Sequence, residues 1–172
     1  MRLTARLDYP GAAPDRVMAM LTDPAFLSQV CAATGALRHD IDVAAAGGGY
    51  VVTTSRELPT DRVPELVRSL VGERLTVRRV DRWDAVAGTG RTGRTGRIEV
   101  TIAGTPVSLT GSLALSPAPS PSGTEGTTQL VDGDLNAAIP LLGSRIARAA
   151  EPAVRAAIEV EERVGRAWLA HG

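Results

Sequence analysis

From residue 36 to about residue 136 the chain keeps returning to a period of two, and from about 140 to 170 it takes the period of a helix. Leu37, His39, Ile41 and Val43 alternate with Arg38, Asp40 and Asp42, the pattern of a half-buried strand. Gly47-Gly48-Gly49 then turns the chain into a second strand over 50–58, which makes a hairpin. Strand character returns at 73–84, 95–104, 106–116 and 127–136, with Gly104-Thr105-Pro106 as a tight turn. Six strands joined by turns and followed by one long helix leave few architectures open. The α+β class, with an antiparallel sheet and a separate helix to cover it, is the one expected.

The start of the chain adds a seventh strand. Leu3, Ala5, Leu7 and Tyr9 alternate with Thr4, Arg6 and Asp8 until Pro10-Gly11 ends the run. Pro14 suits the first position of a short helix that carries Val17, Met20 and Leu21. Asp23 and Pro24 form an N-cap and first residue for a second helix, closed near Gly35. Residues 59–71 interrupt the strands with a short amphipathic helix, read either as a lid or as a fixed plug at the open end of the sheet. Residues 117–126, rich in Pro, Ser and Gly, read as a flexible hairpin loop. In the last helix Ile139, Leu142, Ile146, Ala150, Val154, Ile158, Val164 and Trp168 follow helical spacing, and Pro152 is expected to kink or split it. No repeat or linker divides the 172 residues, so a single domain over 1–172 is expected.

Composition excludes several functions. Hydrophobic residues at 44% can build a core, but aromatics at 3% offer few platforms for stacking bases. A net charge of +0 argues against a nucleic-acid or anionic-membrane partner, since both rely on excess positive charge. All 19 basic residues are Arg, which points to GC-rich bacterial coding rather than to a site. The segment Met1-Arg2-Leu3-Thr4-Ala5-Arg6 lacks the uninterrupted apolar run of a signal peptide, and the lone Cys31 cannot form an internal disulfide. No apolar run nears the ~20 residues of a membrane span. A cytoplasmic protein without membrane insertion is the expectation.

The motifs fail on context. Gly88-Thr89-Gly90-Arg91-Thr92-Gly93 fits a dinucleotide fingerprint in letters, but it leads into a strand where that site needs a helix N-terminus. Arg91, Arg94 and Arg97 read as a solvated loop. Asp132-Gly133-Asp134 opens like a calcium loop, yet Ala137 and Gly143 stand where its glycine and final acid belong. Two histidines and one cysteine cannot make a Cys/His metal cluster, so neither metal nor cofactor is expected. His39 falls on the apolar side of its strand. Beside Tyr9 or Asp132 it is a candidate general base; the alternatives are a hydrogen-bonded core histidine or one at a cavity rim.

Several segments carry a family resemblance. They are residues 3–9 followed by Pro14-Asp15-Arg16-Val17, then Thr22-Asp23-Pro24-Ala25-Phe26, Gly111-Ser112-Leu113-Ala114-Leu115, Asp132-Gly133-Asp134-Leu135 and Ile139-Pro140-Leu141-Leu142-Gly143. Over the whole chain the sequence resembles the START-like, or helix-grip, superfamily of polyketide cyclases, lipid-transfer domains and hydrophobic carriers, and more closely a bacterial family of it with no established function. The resemblance implies a curved seven-stranded antiparallel sheet, ordered β-α-α-β6, wrapped around the C-terminal helix over a cavity. Expected to line that cavity are Tyr9 from the first strand, His39 and Ile41 from the second, and Tyr50 and Val52 from the third. Leu66 and Leu70 from the inserted helix, and Val77, Ile98, Val100, Leu109 and Leu113 from later strands, complete its walls. Leu142, Ile146 and Ala150 of the last helix close it. Such a cavity suits a small hydrophobic partner such as a lipid, isoprenoid or polyketide-like molecule. Two other readings stay open: a structural module with a filled cavity, and a cyclase- or dehydratase-like enzyme using His39 with Tyr9 or Tyr50. A monomer and a homodimer are equally open.

Overall fold

In a computed structural model, residues 1–61, 63–86, 93–119 and 123–171 are described. Seven strands form one antiparallel sheet: β1 (Arg2–Tyr9), β2 (Arg38–Ala46), β3 (Gly49–Pro59), β4 (Arg74–Trp83), β5 (Arg94–Ile102), β6 (Val107–Pro119) and β7 (Glu125–Ala137). Their order is β1-β7-β6-β5-β4-β3-β2, so β1 and β2 are the two edges of an open, curved sheet. Helices α1 (Pro14–Leu21) and α2 (Pro24–Ala33) carry the chain from one edge to the other. Helix α3 (Glu65–Val71) separates β3 from β4, and α4 (Gly143–His171) crosses the concave face.

Local chemistry explains the helix ends. Asp23 accepts a hydrogen bond from the Ala25 amide at 2.8 Å, with Pro24 next to it at the first helical position. Gly35, at φ 84°, ends α2: its amide donates to Ala32 O and the Ala36 amide to Cys31 O, which satisfies carbonyls the helix leaves free. Helix α4 runs through Pro152 without splitting. Pro152 and Arg148 are both exposed, so the carbonyl that loses its donor lies on the solvent side.

The sheet differs from expectation at one end. Strands β6 and β7 remain paired into the segment read as a loop, with Pro117 opposite Thr127 and Pro119 opposite Glu125. The pairing of β5 with β6 ends at Arg94 opposite Leu115, so among the described residues Pro117 and Pro119 are paired on the β7 side alone, which suits prolines lacking an N–H. The middle of that loop, 120–122, lies outside the described residues, as do residues 88–92 of the glycine-rich fingerprint. Arg94 and Arg97 belong to β5 rather than to a solvated loop. The Arg94 side chain is only 13% exposed, its guanidinium 5.9 Å from the centre of the Tyr50 ring. Midway along β6 and β7, Gly111 pairs with Gly133. A Cβ on Gly111 would lie 2.2 Å from Asp132 O, an approach only glycine permits.

Two apolar clusters fill the space between sheet and helices. One joins Leu7, Tyr9, Val17, Phe26 and Leu113 at the α1–α2 end, and the other joins Val67, Leu109, Leu135 and Ile146 under α3. Between them the packing is incomplete.

Candidate ligand cavity

The gap is a cavity of about 190 Å³. Strand alternation supplies its aliphatic wall: Val77 from β4, then Ile98, Val100 and Ile102 from β5, each two residues from the next inward position. Helical spacing supplies the roof, with Ala150, Val154, Ala157 and Ile158 on one face of α4. Pro59, Pro64 and Ala153 are exposed members of the lining and mark its contact with solvent. Val67 of α3 is buried at 3% and packs into the second cluster, so α3 covers this end of the cavity.

Of the residues expected around a cavity, Val77, Ile98, Val100, Leu109 and Ala150 line it. The remainder sit elsewhere. Val52 and Leu113 are packed in the first core cluster, and Tyr50 lies against it under Arg94. Ile146 is buried in the second cluster with Leu66 against it, while Leu70 and Leu142 are exposed at 37% and 39%. Ile41 is half-buried on edge strand β2. Tyr9 is buried at the other end, where its hydroxyl donates to Gln129 Oε1 at 3.4 Å and its ring lies against Gly165 of α4. Burial, with Glu161 adding to it, pushes the Tyr9 hydroxyl well above its ordinary range, so it remains neutral.

The catalytic reading of His39 is corrected by topology. His39 and Tyr9 stand on opposite edge strands, and His39 Nε2 is 2.8 Å from Ser28 Oγ on α2, outside the cavity lining. Asp132 is engaged with Arg2 and Thr4 on the other side of β1. His39 meets none of Tyr9, Tyr50 and Asp132; its hydrogen-bond partner is Ser28. Among the described residues no three His, Cys, Asp or Glu side chains gather as metal ligands. Cys31 is 2% exposed and burial raises its thiol pKa, which lowers the thiolate fraction. Iodoacetamide at pH 8 should therefore leave Cys31 unmodified in the native protein and label it in denaturant. Rapid native labelling, read by mass, would show that the α2 end opens.

Sequence reasoning missed the polar wall. Arg56 of β3, Arg79 of β4 and Glu161 of α4 all line the cavity. Arg79 Nε donates to Asp81 Oδ1 at 2.9 Å and Oδ2 at 3.0 Å, and its terminal nitrogens reach Asp81 and Glu161. Burial alone would lower the pKa of Arg79, but the two carboxylates outweigh it and hold it well above its ordinary value. Burial raises Asp81 despite Arg79, because one guanidinium is shared between two desolvated acids. Arg56 is lowered, first by burial and then by Arg79. Signals existed for two of the three. Glu161 occupies the apolar stripe of α4 between Ile158 and Gly165, and Arg56 shares the inward parity of Val52 and Thr54.

A family model described as protein of unknown function (DUF2505) matches residues 4–169, nearly the entire chain. The chain belongs to the DUF2505 family. No curated protein matches this DUF2505 sequence. Solved structures do. An uncharacterised protein from Rhizobium leguminosarum matches with TM-score 0.61 at 12% identity, covering 100% of this chain and 97% of that one. The protein TTHA0849 from Thermus thermophilus matches with TM-score 0.60 at 14% identity, covering 96% and 94%. The Zhui aromatase/cyclase from Streptomyces sp. R1128 matches with TM-score 0.56 at 12% identity, covering 97% and 92%. At these identities the likeness shows the fold, the helix-grip arrangement of START-like proteins, and not an activity. No helix among the described residues is long and apolar enough to cross a membrane.

Proposed function

We propose that this DUF2505 protein binds or carries a small hydrophobic molecule between β4, β5 and α4. The observation that carries the reading is the aliphatic cavity, left open where neighbouring positions are packed. Its 190 Å³ lies below the ~300–1,000 Å³ of common drug-sized sites. It exceeds the ~150 Å³ of an apolar cavity that holds benzene. The occupant is therefore small, on the scale of one ring or a short chain. That same small volume favours, as a second reading, a structural module whose interior is nearly filled.

Native mass spectrometry of freshly purified protein, with a thermal-shift panel of small apolar compounds, separates the two. Binding predicts a retained adduct or a concentration-dependent rise in Tm. A clean apo mass with no shift supports the filled module. Val100→Phe should close the cavity from β5, where Val100 touches both core clusters. The expected result is loss of the ligand-dependent shift with ligand-free Tm unchanged or higher. Ligand binding that survives Val100→Phe would place the ligand elsewhere.

A further inference from the structure

The loop between β7 and α4 holds an apolar side chain where local rules disfavour one. Leu141 is 100% exposed, and among the described residues it is the only non-glycine with a positive φ, at 64°. The side chain buries no surface there, and glycine holds that backbone conformation without a Cβ penalty. Strain of this kind, kept without return inside the chain, points to a surface that meets something else. Leu142 beside it is exposed as well. Seven large hydrophobic side chains are exposed among the described residues, and five of them, Met1, Leu37, Leu70, Leu141 and Leu142, lie at one end of the sheet. That end is where β3, β5 and β7 finish and where β1, β2, β4 and β6 begin. Apolar side chains gathered in this way mark a contact surface.

Charge indicates the partner. Between Asp134 and Glu151 the only charged side chains are Arg145 and Arg148. Both are exposed on the first two turns of α4, and neither forms an ion pair with a described residue. The acids Asp61, Glu65 and Glu73 gather instead around Gly72. The zero net charge of the chain is an average, and this segment departs from it toward positive. We propose that the 139–148 segment docks this end of the protein on a lipid bilayer with anionic headgroups. Leu141 and Leu142 enter the boundary between headgroups and acyl chains, while Arg145 and Arg148 meet phosphates. Two leucines hold weakly by themselves, and the guanidinium groups supply the second attraction that attachment needs. The docking goes beyond the ligand reading and stands whether or not the cavity is filled. Pro59 and Pro64, exposed at the cavity's edge, belong to the same end, so docking turns that edge toward the lipid.

Cosedimentation with vesicles of phosphatidylcholine, with and without phosphatidylglycerol, tests the docking. The wild type is expected to pellet with the anionic vesicles and to be released as salt rises. Leu141→Gly should weaken that binding by about tenfold. Its Tm should be nearly unchanged, because relief of the backbone offsets the greater freedom of glycine in the unfolded chain. The double variant Arg145→Gln, Arg148→Gln should weaken binding by about the same factor and lose the preference for phosphatidylglycerol. A wild type that pellets with neither vesicle overturns the proposal, as does Leu141→Gly binding like the wild type. A Tm lowered by more than about 6 °C in Leu141→Gly shows that Leu141 supports the fold instead, and overturns it too. A dimer that depends on Leu141, without vesicle binding, makes the patch a contact between two copies and is equally decisive against the bilayer. None of these outcomes bears on the cavity, whose occupant is read from adducts and ligand-dependent shifts.

Discussion

Replacing Arg79 by methionine is expected to destabilise the fold by about 3–5 kcal/mol, the cost of leaving buried carboxylates without their counter-charge. For a domain of this length that corresponds to roughly 6–20 °C in Tm. The size follows from burial. The side chains of Asp81 and Glu161 are 10% and 7% exposed, so neither recovers full hydration when the guanidinium goes. The loss should depend on pH. Burial already holds the folded-state pKa of Asp81 above 3.8, and Arg79 is its main opposing influence. Without Arg79 the folded protein takes up a proton at Asp81 more readily than the unfolded chain does. Stability then falls as pH rises from about 3.8 through the folded-state value. The deficit of the variant should therefore be smaller at about pH 5 than at pH 7. Urea unfolding at both values measures this. A second variant, with Arg79, Asp81 and Glu161 all replaced by apolar residues, should recover much of the loss. If Arg79→Met unfolds within about 1 kcal/mol of the wild type, the cluster is hydrated through the cavity mouth and is not a structural ion network.

The second large effect is expected at Phe26, the one phenylalanine in the chain and fully buried. Its ring meets Trp168 edge to face, with centroids 5.7 Å apart and planes at 68°, and so ties α2 to the end of α4. Phe26→Ala should cost about 3–5 kcal/mol through lost burial and the cavity left behind. Phe26→Leu keeps most of the volume and should cost less. Trp168 is only half-buried, so its emission, read in a Trp83→Phe background, should shift to the red before global unfolding. An unchanged denaturation midpoint for Phe26→Ala would show that α2 and α4 are held together by other contacts.

Much of the architecture is written in local pattern. The alternation through Leu3, Leu7 and Tyr9, and again through Val52 and Thr54, fixes which side chains face inward, because successive strand positions point to opposite faces. Asp23-Pro24 and Gly35 mark the ends of α2 by cap chemistry alone. The segment 117–126 misled, since its prolines and glycines are turn formers wherever they stand. The register of β6 with β7 places Pro117 and Pro119 in a strand, where among the described residues their pairing is with β7 alone.

The candidate site was legible in part, and the reason is geometric. Periodicity assigns a residue to a face, yet it does not say which residues of other elements oppose it. Val77, Ile98 and Val100 were visible as inward residues; that α4 leaves 190 Å³ open above them depends on how tightly α4 sits, which only the tertiary packing sets. His39 has the inward parity of a cavity residue, but strand order puts it on the β2 edge beside Ser28. Arg79 and Glu161 lie far apart in sequence and meet only because α4 crosses β4. The sequence by itself therefore determined most of the elements and their inward faces, since these follow from short-range sterics and burial, and its resemblance to START-like proteins implied the helix-grip fold. Tertiary structure alone decided where the interior stays unfilled and which buried charges share it, because both depend on the approach of surfaces distant along the chain.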